Sequence, residues 1–291
     1  MQLDAKQLSK TFGKKTVIDQ LHFQLTPGIY GFLGANGSGK TTLMRILATV
    51  AHPSSGSVTL NGENIFKLGE TYRDLIGYLP QNIGYYQHFS AKKFLHYMAT
   101  IKGLTKEESV TRTEDLLEKV GLQDVGKKKI KTFSGGMKQR VGIAQALLNN
   151  PKIVLVDEPT VGLDPKERIR FRNLLASMAQ DKIVLISTHI VSDIETIAKE
   201  VLVLKQGRLL AQAPPATLVD EMRGRVWEIL CSQSEALQLE ATQQTTNITP
   251  EGNEARVRFL ADQHDVHGAS EVTPTLEDYY LYHFDRTEVV S

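Results

Sequence analysis

Leu21, Phe23 and Leu25 alternate with His22 and Gln24, the period of a half-buried strand. Leu3, Ala5 and Leu8 carry a looser version of that period. Val58 to Leu60, followed by Asn61-Gly62, predicts a hairpin closed by a two-residue turn. These pieces predict a small antiparallel subdomain near the N-terminus. The runs 29–33, 76–79, 153–156 and 183–186 differ, being apolar at consecutive positions. That pattern predicts strands covered on both faces, as in a parallel sheet between layers of helices. From about residue 85 to 148 the spacing turns helical: Leu116, Leu117 and Val120, then Val141, Ile143, Ala144, Leu147 and Leu148. A helical insert is expected there.

Pro214-Pro215 and then Gly224 interrupt the pattern. Beyond them, residues 226–231 and 255–260 alternate like strands, separated by a polar stretch rich in Gln and Thr. Thr275-Leu276-Glu277-Asp278 is a variant of the box that caps a helix, and Leu276, Tyr279, Tyr280 and Phe284 would share one face of that helix. The expected organisation is an α/β domain over residues 1–222 and a small α+β extension over 223–291.

Composition narrows the classes. Thirty-four Lys and Arg against 33 Asp and Glu give no net field toward nucleic acid or anionic lipid. The single cysteine, Cys231, builds no disulfide framework and fits a small apolar position in a strand. The N-terminus lacks the apolar run of a signal peptide, and no stretch reaches the ~18 apolar residues of a spanning helix. If the protein acts at a membrane, the membrane-embedded part is therefore expected in another chain.

The chemistry starts at Gly34-Ala35-Asn36-Gly37-Ser38-Gly39-Lys40-Thr41, which fits G-x-x-x-x-G-K-[ST] between an apolar strand and a helical run that continues with Thr42. Glycines let successive backbone N–H groups curl around phosphate oxygens, Lys40 reaches the terminal phosphates, and the Thr41 hydroxyl suits Mg²⁺. The strand 153–156 ends in Asp157-Glu158. Ligands of open α/β sheets bind beyond the carboxyl ends of the strands. Asp157 is thus expected to orient Mg²⁺ through its water shell, and Glu158 to take a proton from the attacking water.

Phe133-Ser134-Gly135-Gly136-Met137-Lys138-Gln139-Arg140 resembles the signature of ATP-binding cassette (ABC) proteins, with Phe133 where Leu is usual and Met137 where Gln is usual. Other motifs follow in the order of that family. Gln81 resembles its lid glutamine, Gly162-Leu163-Asp164 its subunit-communication loop, His189 its switch histidine, and Phe12 its adenine-stacking aromatic. The resemblance covers residues 1 to about 222 and implies a P-loop NTPase fold, a RecA-like parallel core with an antiparallel subdomain and a helical insert. It implies ATP and Mg²⁺ as ligands, with Thr41, Gln81 and Asp157 at the metal. Glu158, His189, Gln81 and Lys40 would be the catalytic set, and Gly34, Asn36, Gly37, Ser38, Gly39 and Thr42 would complete the phosphate cradle. Ser134, Gly135, Gly136 and Asp164 would act on nucleotide held by an opposite subunit.

Two such chains would therefore sandwich two ATP molecules, a homodimer sooner than a heterodimer because one chain carries the full set. The resemblance further implies a separate membrane permease, with this chain on the inner face of the cell membrane and no nucleic-acid partner. The short cassette plus small extension resembles exporter subunits for drugs, peptides or lipid-linked materials. The aromatic segment after Gln81, with Tyr85 and Tyr86, is where that permease would dock. Two other readings are a cassette that switches ribosomes or DNA and a small-molecule kinase. The kinase leaves the signature unexplained, and the gaps between motifs are too short for repair-type coiled coils.

Overall fold

The computed structural model describes residues 1–284, and residues 285–291 of the expected extension lie outside the described residues. The chain divides into two compact units, Met1–Gln212 and Ala213–Ser291. The sequence boundary at 222/223 falls inside the second unit. The short helix Pro215–Asp220 packs on the helix Leu276–His283, and Leu218 and Met222 are fully buried there.

In the first unit a six-stranded sheet has the order Arg208–Ala213, Glu200–Lys205, Gly28–Leu33, Ile183–Thr188, Ile153–Asp157, Ile76–Leu79. The strands from Glu200–Lys205 to Ile76–Leu79 are parallel. Their residues are buried on both faces, in keeping with the unbroken apolar runs. Arg208–Ala213 turns back at the edge after Gln206-Gly207, both at positive φ. Tyr30, Phe32, Leu155, Leu185 and Leu202 pack with Leu43 and Ile46 of the helix Lys40–Leu47 in one core. Each such aliphatic side chain contributes ~1.5–3 kcal/mol by leaving water.

A four-stranded antiparallel sheet forms the predicted subdomain, in the order Lys15–Leu25, Leu3–Phe12, Ser55–Leu60, Glu63–Asn64. The hairpin after Leu60 turns at Asn61 (φ 51°) and Gly62 (φ 90°), the pair of positive angles that a tight turn of this hand requires.

The insert holds the helices Ala91–Ile101, Lys106–Lys119 and Gly135–Ala146. Each begins at a hydroxyl cap: Ser90 accepts from the Lys93 N–H, Thr105 from that of Glu108, and Ser134 from that of Met137. The last of these helices also covers the sheet. A Cβ placed on Gly142 would lie 2.6 Å from Leu79 Cδ1 and 2.4 Å from Ile83 Cδ1, so glycine lets these side-chain ends pack directly on the helix backbone.

The second unit carries a four-stranded sheet in the order Gln244–Glu251, Glu254–Leu260, Val226–Ser232, Ser270–Glu271. Leu276, Tyr279, Tyr280 and Phe284 are buried together, as their helical spacing predicts. The polar stretch between the two predicted strands turns out to be ordered. It forms the helix Gln233–Thr242, opened by a Ser232/Glu235 capping box, and then the strand Gln244–Glu251.

Candidate functional site

Gly28–Leu33 and Ile153–Asp157 flank Ile183–Thr188, and all three run the same way. Their carboxyl ends therefore deliver Gly34, Glu158 and His189 to one edge of the sheet. The loop after Leu33 is held tightly between the two sheets. A Cβ on Gly34 would lie 2.5 Å from the Leu204 carbonyl oxygen, and one on Gly39 (φ +109°) 2.7 Å from that of Val17. The Gly207 N–H donates to the Ser38 carbonyl (3.2 Å) and holds the loop from below.

Asn36, Gly37, Gly39, Lys40, Thr41 and Thr42 line a pocket of about 240 Å³, joined by Val17, Gln81 and Glu158. Lys40 is buried. Its Nζ donates to the carbonyls of Gly34 (2.6 Å) and Ala35 (3.1 Å) and pairs with Glu158 Oε1 at 3.3 Å. Desolvation draws its pKa below the usual lysine range, opposed by the neighbouring Glu158 and Asp157 carboxylates. Asp157 is held above the usual carboxylate range by burial, opposed by hydrogen bonds from Ser187 and Thr41.

Glu158 sits at φ +48°, a left-handed conformation that costs a non-glycine residue about 1–3 kcal/mol. Its N–H is held by Ser187 Oγ (3.2 Å) and the Ser187 carbonyl (3.1 Å). The strain turns its carboxylate off the strand axis and into the pocket, between Lys40 and His189. His189 Nδ1 lies 2.9 Å from Glu158 Oε2. A carboxylate held this way, beside a cation and an imidazole, is suited to orient and deprotonate a water.

The donors also fit Mg²⁺. Thr41 Oγ1 donates to Asp157 Oδ1 (3.3 Å), Asp157 Oδ2 is buried without a hydrogen-bond partner, and the Gln81 amide faces the same pocket. An all-oxygen set of hydroxyl, carboxylate and amide is what this cation selects. Ser38 Oγ is likewise buried and unpartnered at the base of the cradle.

Ser134, Gly135, Gly136, Asp164 and Phe12 do not line this pocket. Ser134 and Gly135 are exposed at the start of Gly135–Ala146, whereas Gly136 is buried. A Cβ on Gly136 would come 2.6 Å from Glu167 Oε2. Asp164 caps Pro165–Met178 by accepting from the Glu167 N–H (2.9 Å). Glu167 in turn pairs with Arg140 Nε at 3.5 Å. The signature tip and the loop at Asp164 thus form one surface. Phe12 is 55% exposed at a hairpin end, with Lys10 Nζ 4.9 Å from its ring centroid. A further cleft of about 990 Å³ in the second unit, bordered by Leu230, Glu235, Asp265 and His267, has no phosphate cradle.

A family model described as ABC transporter matches residues 18–161. The chain is 40% identical over 210 residues to the bacitracin transport ATP-binding protein BcrA of Bacillus licheniformis, spanning 71% of this chain and 68% of that protein. This chain belongs to the ATP-binding cassette family. It is 34% identical to the Nod factor export ATP-binding protein I of Burkholderia thailandensis, over 76% of this chain and 74% of that protein. A solved dimeric cassette in a post-hydrolysis state bound to ADP and Pi superposes with a TM-score of 0.65 at 25% identity, over 73% of this chain and 98% of that one. The cassette described here is an ATPase with the P-loop NTPase fold, and ATP-binding subunits of this family form dimers and pair with membrane permeases. Among its described residues, no helix is long and apolar enough to cross a membrane.

Two features of the cassette escape a reading of the sequence. Ser187 holds both Asp157 Oδ1 and the Glu158 N–H, but it shows only as a small polar residue ending an apolar run. Its role depends on Asp157 and Ser187 being partners across neighbouring strands. Asp193, also buried, joins Thr160 to Arg168 (2.9 Å), tying the segment after His189 to the helix after Asp164. Tyr85 needs a correction. Its hydroxyl donates to the Lys138 carbonyl (2.6 Å) and burial raises its pKa, so it anchors the segment after Gln81 to the signature helix. Tyr86 and Tyr97, 48% and 40% exposed, form the aromatic surface instead.

Proposed function

We propose that this cassette hydrolyses ATP as one of two copies driving a membrane permease that exports a drug, peptide or lipid-linked substrate, from the inner face of the cell membrane. The name of its Nod factor relative supports export, and that of its bacitracin relative supports transport. The observation that carries the two-copy mechanism is the position of Ser134 and Gly135. Their helix tip is open to solvent and outside the pocket of its own chain. A helix N-terminus with free N–H groups and a hydroxyl is a ready anion site. A second copy supplies it to the γ-phosphate held by the first.

In that assembly Lys40 and the loop N–H groups hold the phosphates, and Phe12 offers its exposed ring to the adenine. Glu158 orients the water and receives its proton, while His189 fixes the Glu158 carboxylate and reaches the γ-phosphate. Asp164 aligns the two copies. Thr41, Asp157 and Gln81 would hold Mg²⁺, which supplies charge neutralisation on the phosphates when bound. The full set on one chain favours a homodimer. Association costs on the order of 4–15 kcal/mol of lost freedom, so the free chain is expected to dimerise only with ATP. Sedimentation of Glu158→Gln tests this: a dimer with ATP and a monomer without is expected, and a tight nucleotide-free dimer would overturn it.

The permease reading has its own test. Tyr78, Ile83, Tyr86, Phe94, Tyr97 and Ile101 line a cleft of about 500 Å³ beside the segment that follows Gln81. Tyr86→Ala with Tyr97→Ala should lower co-purification with the permease while basal ATPase persists. Unchanged co-purification would move the docking site elsewhere.

A further inference from the structure

The segment 127–131 runs alongside 87–92. Lys92 N–H donates to the Gly126 carbonyl (2.8 Å), Ile130 N–H to that of Phe89 (2.9 Å) and Lys131 N–H to that of Gln87 (3.0 Å), and Ser90 bridges Lys129 in antiparallel sense. Ile130 is fully buried between its lysine neighbours. The backbone is therefore pinned, and Lys93, Lys127, Lys128, Lys129 and Lys131 are all exposed on one stretch of surface. Half-buried Lys92 pairs with Glu114, and none of the other five makes an ion pair among the described residues. The whole chain has a formal charge of only +1, so this concentration is local.

The lysines adjoin the aromatic surface through Phe89. Tyr86 stacks on Phe89 (centroids 5.1 Å), Tyr97 meets both edge-on, and Lys93 Nζ lies 4.3 Å from the Phe89 centroid. The Tyr86 and Tyr97 hydroxyls meet at the exposed tip, 3.5 Å apart. Tyrosines that present an apolar ring and a polar tip, beside unpaired lysines, match the headgroup zone of a bilayer. Single-stranded nucleic acid instead requires open ring faces for base stacking, and here the rings pack on one another.

We propose that Lys93, Lys127, Lys128, Lys129 and Lys131 form a contact surface for the anionic headgroups of the membrane, with Tyr86 and Tyr97 at its border. The inference rests on the reading that the Tyr86–Tyr97 surface faces the permease. Lysines next to that docking cleft then meet the lipid around it, orient the cassette and retain it near the bilayer between docking events. Near an anionic surface each lysine is worth on the order of fivefold in partitioning.

The test is co-sedimentation of the full chain with phosphatidylcholine vesicles that also contain the anionic lipid phosphatidylglycerol, since polybasic surfaces respond to negative surface charge, and with phosphatidylcholine alone. Binding only to the anionic vesicles is expected, with loss at high salt through screening. Lys127→Gln, Lys128→Gln, Lys129→Gln and Lys131→Gln combined should lower it by at least about a hundredfold while ATP turnover and thermal unfolding stay unchanged. Equal partition of variant and native chain, or equal binding to both vesicles, would overturn the proposal. So would tighter binding to a single-stranded polynucleotide than to the anionic vesicles. No permease is present, so failure here is distinct from failure of the Tyr86/Tyr97 co-purification.

Discussion

Around Glu158, the ionisable side chains find partners within the chain, with Asp157 Oδ2 the exception: Lys40 lies on one carboxylate oxygen of Glu158, His189 on the other, and Ser187 bonds both Asp157 Oδ1 and the Glu158 N–H. Around Ser134 the opposite holds, for Ser134 and Gly135 are exposed and the hydroxyl there does no more than cap its own helix. Buried charge is expensive unless paired, so the hydrolytic end is assembled by the fold of one chain. An exposed helix tip is well solvated by itself and acquires value only when an anion arrives. On the proposed two-copy reading, the contrast would explain how a cassette can hold nucleotide alone yet need a second copy to complete its chemistry.

Glu158→Gln strikes hardest at the satisfied end. It keeps the shape and removes the proposed base, so turnover should fall by ~10²–10⁴ while equilibrium ATP binding persists. Turnover within tenfold of the native rate would place the base elsewhere. Ser187→Ala leaves every catalytic group in place and removes the hydroxyl that positions Asp157 and Glu158. Loss of such an outer partner typically costs ~10–100-fold, and the drop should appear in kcat sooner than in KM for ATP. Ser134→Ala probes the open end with the smallest effect. Losing the cap is worth about 1 kcal/mol of helix stability, and if that same energy is lost from the closed two-copy state, turnover should fall on the order of fivefold. Single-chain ATP binding should be unchanged while the ATP-dependent dimer of the Glu158→Gln background weakens. Weaker binding by the isolated chain would blur the contrast between the two ends.

Much of the pocket was legible because its parts are local in the chain. The loop from Gly34 to Thr41 carries its own geometry in its glycines, and Asp157-Glu158 follows a short apolar run of strand length. The burial of Leu276, Tyr279, Tyr280 and Phe284 was readable from a 3.6-residue period. Gln233–Thr242 and Gln244–Glu251 were not, because both are mainly polar and their packed faces are narrow. Tyr85 was misplaced because one aromatic run holds both an anchor and surface rings, and only its bond to the Lys138 carbonyl separates them.

The chain's own order of residues thus determined the phosphate loop, the acids, the signature and the alternation that makes a sheet, since each depends on neighbours a few positions away. Tertiary structure alone decided that Ile183–Thr188 lies between the strands of the loop and the acids, which brings Ser187 and His189 to Asp157 and Glu158. It likewise gathered lysines from 93 and 127–131 onto one surface. Strand order and the meeting of distant segments arise from long-range packing, in which each contact joins residues whose separation along the chain carries no periodic signal.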